Sequence, residues 1–95
     1  MIAFTVRMRF RTEDREEIAG YLRELTAGSR EEPGCVVYVP HVVESEPDTV
    51  LIYEQYRDEA AVDAHRGSEH FRRFAVAGLY QRMLDRAVEN LTVLA

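Results

Sequence analysis

The spacing of apolar residues changes along the chain, and this change constrains the fold more than any single motif. Residues 2–10 alternate between apolar and mostly polar side chains, which predicts a strand with one apolar face. Apolar residues then recur at helical spacing, which predicts an amphipathic helix over 13–30. The helix residues predicted to be buried, here and in the second half of the chain, are Leu22, Leu25, Phe71 and Phe74.

Two further strands are predicted after Pro33 and Gly34, which end the first helix. Residues 35–43 are rich in β-branched side chains and 49–57 is predicted as the next strand, so their short connection favours an antiparallel hairpin. Because a proline cannot donate to a sheet, Pro40 places the first of these strands at an edge or at a bulge. Helices over 59–66 and 69–77 and a last strand over 87–94 complete the pattern.

The predicted order of elements is β-α-β-β-α-β, which is the split β-α-β, or ferredoxin-like, plan of an α+β domain. The 95 residues form one domain, 1–95. Helices would cover one face of a four-stranded antiparallel sheet, while the other face also carries apolar groups. A second copy, packed sheet to sheet, is the simplest cover, so we expect a homodimer.

Charge and composition exclude several classes of function. The formal net charge is −5 and the arginines are interleaved with acids, so nucleic-acid binding is not expected. No apolar run is long enough to span a membrane, and no secretory leader precedes the first strand. One cysteine, Cys35, cannot form an internal disulfide, which fits the cytoplasm. We therefore expect no nucleic-acid or membrane partner.

The segment 54–74 holds the residues most suited to chemistry. Glu54 and Tyr56 share one face of a strand, where Glu54 interrupts a largely apolar row and needs a partner or a raised pKa. An ion pair with Arg7 or Arg9 is one explanation. His65 lies at the end of a helix. From there it can turn toward the sheet and act as a proton acceptor, or it can simply cap the C-terminus of the helix.

The caps of the two short helices fix where His65 falls. Asp58 has the chemistry of an N-cap, Gly67 that of a helix stop, and Ser68 can cap the next helix. A carboxylate, a phenol and an imidazole are therefore expected to converge between the sheet and the helices.

The other histidines give weaker signals. His70 falls in the first turn of a helix, where packing or capping is the simpler role, and His41 lies on the opposite strand parity from Tyr38. The spacing matches no metal-binding pattern, so no metal site is predicted. No glycine-rich phosphate loop and no flavin or nicotinamide fingerprint is present, so no cofactor is expected. Proton transfer in a small, partly apolar pocket remains as the available chemistry.

Three segments resemble the antibiotic biosynthesis monooxygenase (ABM) family. They are PGCVVY at 33–38, YEQYRDEAA at 53–61 and AHRGSEHF at 64–71, in the family's order and spacing. The resemblance implies a dimeric α+β barrel and a cofactor-independent oxygenase of electron-rich aromatics such as quinols or anthrones. His65 would then be the base, and Glu54 and Tyr56 would orient it or the substrate. The side chains expected to line the substrate pocket are Tyr38, His41, Ile52, His70, Phe71 and Phe74.

Departures from the family patterns limit which branch the chain resembles. Ile52 and Tyr56 stand where the polyketide-quinone branch has asparagine and tryptophan, and the chain has no tryptophan. Ala75 stands where the haem-degrading branch has its haem-ligating histidine, so that reaction is disfavoured. The resemblance is greatest to small quinol-monooxygenase-like and signal-catabolism members. An isomerase of a small phosphorylated ketone and a non-catalytic dimeric ligand-binding module remain alternatives.

Overall fold

The computed structural model describes residues 1–95 and contains four strands and a layer of helices. The elements in chain order are β1 (Ile2–Arg9), a 3-10 turn (Thr12–Asp14), α1 (Arg15–Arg30), β2 (Cys35–Val43), β3 (Glu46–Tyr56), α2 (Glu59–Arg66), a π-helix (Phe71–Leu79), α3 (Tyr80–Arg82) and β4 (Asp85–Leu91). None of the helices has the length and apolar character needed to cross a membrane.

The strands form one antiparallel sheet in the order β2-β3-β1-β4. This order confirms the predicted ferredoxin-like plan, in which the first strand lies inside the sheet and the last one joins its edge. Pro40 is confirmed on an edge strand, where a residue without an N–H is tolerated. β3 begins at Glu46, earlier than predicted, because the turn between β2 and β3 spans only Glu44 and Ser45.

The core lies between the sheet and the helices. Val6, Ile52 and Pro40 are directly opposite one another on β1, β3 and β2, which places the even-numbered residues of these strands on the helix-covered face. Leu22 and Leu25 of α1 are buried there as predicted. Glu54 and Tyr56 therefore project into the core and not toward the open face.

The helix after α2 departs from the predicted α-helix. Phe71–Leu79 winds as a π-helix, and the N–H of Tyr80 donates to the carbonyl of Ala75, five residues earlier. This winding buries Ala75 and Leu79, four residues apart, in the core. Phe71 and Phe74, predicted from α-helical spacing to be buried, are only half-buried against it. π-helical turns are rare in proteins, and those that do occur often lie at functional sites.

The opposite face of the sheet carries no helix. Thr5, Val39, Leu51 and Tyr53 are half-buried there, and every residue of β4 is exposed. An apolar, half-buried sheet face in one chain is the feature from which a homodimer was predicted, and the dimer stays a prediction.

Candidate active site

The end of α2 is held by two capping side chains. Asp58 accepts a hydrogen bond from the N–H of Ala61 at 2.9 Å, which confirms it as the N-cap. Ser68 Oγ donates to the carbonyl of His65 at 2.6 Å and accepts from the N–H of Phe71 at 3.2 Å. Ser68 thus ties the last turn of α2 to the first turn of the next helix. Gly67 has a φ of −91°, so the helix ends without a left-handed residue.

His65 turns from this helix end into the core, beside the pair on β3. Tyr56 Oη donates to Glu54 Oε1 at 2.6 Å, and His65 Nε2 lies 3.7 Å from the same oxygen. The rings of Tyr56 and His65 have centroids 5.1 Å apart. All three side chains are buried, with 0% of Tyr56, 5% of Glu54 and 3% of His65 exposed. The structure therefore brings the predicted carboxylate, phenol and imidazole together.

The alternative partner for Glu54, an arginine of β1, is wrong. Arg7 is ion-paired with Glu46 at 2.7 Å, and Arg9 with Asp85 at 2.8 Å. Strand alternation places both arginines on the opposite face of the sheet from Glu54, where they are exposed. Glu54 is therefore a buried carboxyl group whose hydrogen-bond partner is Tyr56.

Glu32 completes the site, although it was not predicted from the sequence as a site residue. Its Oε2 lies 2.9 Å from His65 Nδ1 and 2.5 Å from His70 Nε2. Because a carboxylate only accepts hydrogen bonds, both imidazole nitrogens donate to it. This arrangement places the proton of His65 on Nδ1 and leaves Nε2 free to accept one. His70 is thus brought to the site behind His65.

The position of His70 depends on the absence of a side chain at Gly28. A Cβ built on Gly28 would lie 2.5 Å from Cγ of His70, closer than side chains approach one another. Glu32 itself follows another glutamate in the segment after α1, and its neighbours give no sign that it differs from a solvated acid. Only the fold brings it to the histidines.

The same three side chains could also hold a metal ion. Glu32, His65 and His70 each offer a ligand atom, and these atoms lie within 4.8 Å of one another. Two imidazoles and one carboxylate are a common ligand set for zinc and for non-haem iron. No metal-binding spacing was found in the sequence because the ligands come from separate elements. An ion here would compete with the hydrogen bonds that orient His65.

Burial moves the pKa values of the two central groups in opposite directions. Burial raises the pKa of Glu54 to about 7, although the hydrogen bond from Tyr56 opposes the rise. Burial lowers the pKa of His65, against the effect of Glu32. Burial also raises the pKa of Tyr56, which keeps its phenol protonated. Near neutral pH the site therefore holds a neutral imidazole beside a carboxyl group that is partly protonated.

Glu54→Gln should gain stability relative to the wild type as the pH rises through neutrality. The folded-state pKa of Glu54, about 7, lies above the ordinary value of 4.5 for a glutamate. Protonation of Glu54 therefore favours the folded state at low pH, and this contribution is lost as the pH rises through about 7. Urea unfolding should show the stability of the variant gaining on that of the wild type by on the order of 2 kcal/mol between about pH 5.5 and pH 8.5.

Glu44→Gln serves as the control, since Glu44 is exposed on the turn between β2 and β3. We expect it to follow the wild type at both pH values. A difference between Glu54→Gln and wild type that stayed constant with pH would mean that Glu54 titrates normally despite its burial.

The cluster faces a cavity of about 40 Å³ between the sheet and the helices. Of the residues predicted to line a pocket, Tyr38, Ile52 and Phe71 do so, together with Glu54 and His65. A cavity of this size accommodates a molecule such as water or dioxygen. An aromatic ring requires side chains at the mouth to move, and half-buried Phe71 and Tyr80, whose rings meet edge to face at 6.1 Å, are placed to do so.

Three predicted pocket residues do not line this cavity. One is His70, which contacts Glu32 behind His65. His41 is exposed on β2, where its Nδ1 is 3.1 Å from the carbonyl oxygen of Leu51, because strand alternation turns it away from Tyr38. Phe74 packs beside Arg73, whose guanidinium carbon Cζ lies 5.0 Å from the centroid of the Phe74 ring. The π-helical winding directs Phe71 to the cavity and leaves Phe74 outside it.

The fold and the buried cluster define a small ferredoxin-like domain with an imidazole and a carboxyl group at its centre. The chain belongs to the antibiotic biosynthesis monooxygenase family, whose model matches residues 1–77. A crystal structure described as an antibiotic biosynthesis monooxygenase superposes with a TM-score of 0.92 at 25% identity, and the match covers 100% of both chains.

Two curated relatives are similar in sequence. The YcnE protein of Bacillus subtilis (strain 168) is 31% identical over 78 residues, which are 82% of this chain and 82% of that protein. The uncharacterized protein sll1783 of Synechocystis sp. (strain PCC 6803) is 30% identical over 67 residues, or 70% of this chain. The match spans 46% of the Synechocystis protein.

Proposed function

We propose that the protein is a cofactor-independent monooxygenase that oxidises a small, electron-rich aromatic of the quinol or anthrone type with dioxygen. The observation that carries the proposal is the orientation of His65. Its Nδ1 is held by Glu32, its Nε2 lies 3.7 Å from Glu54 Oε1, and both His65 and Glu54 line the cavity. Membership of a family of monooxygenases supports the same reaction class.

The reaction begins with a proton transfer that needs no redox group in the protein. Nε2 of His65 takes the proton of a substrate hydroxyl, and the resulting phenolate is electron-rich enough to give one electron to dioxygen. The substrate radical and superoxide then combine, forming a carbon–oxygen bond and a ring-bound peroxide anion. A buried, neutral imidazole suits the first step, because the lowered pKa of His65 keeps it unprotonated near neutral pH.

The second half of the cycle returns the proton. At the carbon that carries the peroxide, the C–H bond and the O–O bond break. One oxygen atom stays on the ring as a carbonyl, and the other leaves as hydroxide with the former ring hydrogen and becomes water on taking the proton held by His65. For hydroquinone the balance is C₆H₆O₂ + O₂ → C₆H₄O₃ + H₂O. Glu54, when protonated, donates a hydrogen bond to the developing oxyanion, and Tyr56 fixes the carboxyl group in place.

Oxygen uptake tests this proposal. With hydroquinones and anthrones supplied to the purified protein, we expect substrate-dependent consumption of dioxygen with no added cofactor. Dialysis against EDTA should leave the rate unchanged. A rate lost on dialysis and restored by one metal ion would instead assign Glu32, His65 and His70 to a metal centre.

The same assay separates the other functions that the sequence left open. Turnover of a phosphorylated ketone without oxygen would indicate an isomerase. Saturable binding of a quinol without turnover would indicate a ligand-binding module.

We also propose that two copies pack through their sheets. The half-buried apolar groups of the uncovered face support this arrangement, since a domain of 95 residues has a modest core. Light scattering at micromolar concentration should give twice the mass of the chain. Leu51→Arg, which places a charge at the centre of that face, should give the single-chain mass. A wild-type protein already at the single-chain mass would rule the dimer out.

A cytoplasmic location fits the state of Cys35, the only cysteine in the chain. Burial raises the pKa of its thiol to about 11, so the group stays protonated at neutral pH. A protein with one unreactive, unpaired thiol suits a reducing compartment, and the cytoplasm is our proposal.

A further inference from the structure

Two arginines stand at the cavity of the site. Arg66 is the last residue of α2, and Arg86 lies on β4 opposite Met8 of β1. Both line the cavity that Glu54 and His65 also line, and both side chains are exposed. They stand on different elements, a helix and a strand, and only the fold places them at one cavity.

Neither arginine has a carboxylate partner. Other arginines of the chain are ion-paired, among them Arg7 with Glu46 and Arg82 with Glu17, but no carboxylate oxygen lies within 4.0 Å of Arg66 or Arg86. In a chain with a net charge of −5, two unpaired guanidinium groups at one cavity make a local positive site.

Aromatic rings of the cavity wall hold both guanidinium groups. Cζ of Arg66 lies 6.0 Å from the ring centroid of Phe4, and Cζ of Arg86 lies 5.4 Å from that of Tyr80. Both charges also act on Glu54, where each lowers the pKa against the effect of burial. The positive field therefore reaches the place where the substrate hydroxyl would meet His65.

We propose that Arg66 and Arg86 bind an anionic substituent of the substrate, a carboxylate or a phosphate, and hold it at the mouth of the cavity. The planar fork of an arginine matches both groups. A charged substituent would stay in contact with water at the mouth, because a cavity of about 40 Å³ has no room for it beside Glu54 and His65. The substrate is then an aromatic with a hydroxyl at one end and an anionic group at the other. Only the hydroxyl end of this inference rests on the proposed function.

Equilibrium dialysis without oxygen tests the anion site independently of turnover. The probes are hydroquinone, 2,5-dihydroxybenzoate and 4-hydroxyphenyl phosphate, which share a ring and differ in the charged group. We expect at least one anionic probe to bind about tenfold more tightly than hydroquinone. The affinity of that anionic probe should decrease as the salt concentration rises from about 0.05 M to 0.5 M, while the affinity for hydroquinone changes little. The anion that binds more tightly identifies the substituent.

Variants separate these arginines from charge in general. Arg66→Gln and Arg86→Gln should each reduce the affinity for the anionic probe by roughly three- to tenfold and leave hydroquinone unaffected. Arg73→Gln is the matched control, since Arg73 also stacks on a ring but does not line the cavity, and we expect it to bind like the wild type. All three positions are exposed, so the melting temperatures should be unchanged.

Equal affinity for the three probes, or an anion preference that survives in Arg66→Gln and Arg86→Gln, would overturn the inference. Failure of the oxygenase proposal would look different, because the anion would still bind through both arginines while oxygen uptake stayed at zero.

Discussion

Replacing His65 by alanine should lower the rate of substrate-dependent oxygen uptake by about 10²–10⁴-fold, the usual contribution of a positioned general base. The reason is that His65 lines the cavity with Nε2 as its free acceptor, since Glu32 holds Nδ1. Because His65 is buried, the alanine variant leaves a void, so His65→Gln, which fills the space with a side chain that is no base, should be measured beside it.

The pH profile gives a second measure of the same residue. The lowered pKa of His65 means that the acid limb of the wild-type rate should lie below the usual titration range of an imidazole, as Nε2 becomes protonated. On the alkaline side the rate should fall as Glu54, with a pKa of about 7, loses its proton. This acid limb should be absent from the residual activity of His65→Gln.

His41→Ala is the control, because that imidazole is exposed on β2 and does not line the cavity. Its rate should match that of the wild type. If His65→Gln kept full turnover, His65 would be a structural residue that closes α2, and the base would have to be sought elsewhere.

Much of the fold could be predicted because local patterns and tertiary packing agree. Alternation in β1 and the β-branched run of β2 gave strands whose order defines the ferredoxin-like plan. The π-helix could not be predicted, because the spacing of Phe71 and Phe74 also fits an α-helix. Packing against the sheet and α1 decides whether an α-helix or a π-helix forms. No local pattern in the sequence indicates which of the two it is.

The site divides in the same way. Strand parity was enough to pair Glu54 with Tyr56, and capping chemistry was enough to place His65 near them. Glu32 and Arg86 reach the site from distant segments, and each resembles the solvated charges around it in the sequence. Only their contacts in the folded structure distinguish such residues. Charged groups that reach the site from other elements were therefore the part of the site that could not be predicted from the sequence.

Leu79→Ala should reduce the free energy of unfolding by about 2–5 kcal/mol, the range for a fully buried leucine. Leu79 is 1% exposed and ends the π-helix, where it lines the cavity with Phe71 and Ala75. Truncation removes apolar contacts and enlarges a cavity that already exists, which costs both transfer and packing energy. Urea unfolding at one fixed protein concentration is the measurement, since a dimer would make the midpoint depend on concentration.

The comparison with Phe74→Ala decides between the two windings. In the π-helix Phe74 is half-buried beside Arg73, so its loss should cost less than the loss of Leu79, although phenylalanine is the larger side chain. An α-helix with the stripe predicted from the sequence would reverse that order. Leu94→Ala is the control, because Leu94 is 98% exposed and its removal should change stability by no more than about 0.5 kcal/mol. A loss for Phe74→Ala that exceeded the loss for Leu79→Ala would therefore restore the α-helical stripe and with it Phe74 as a core residue.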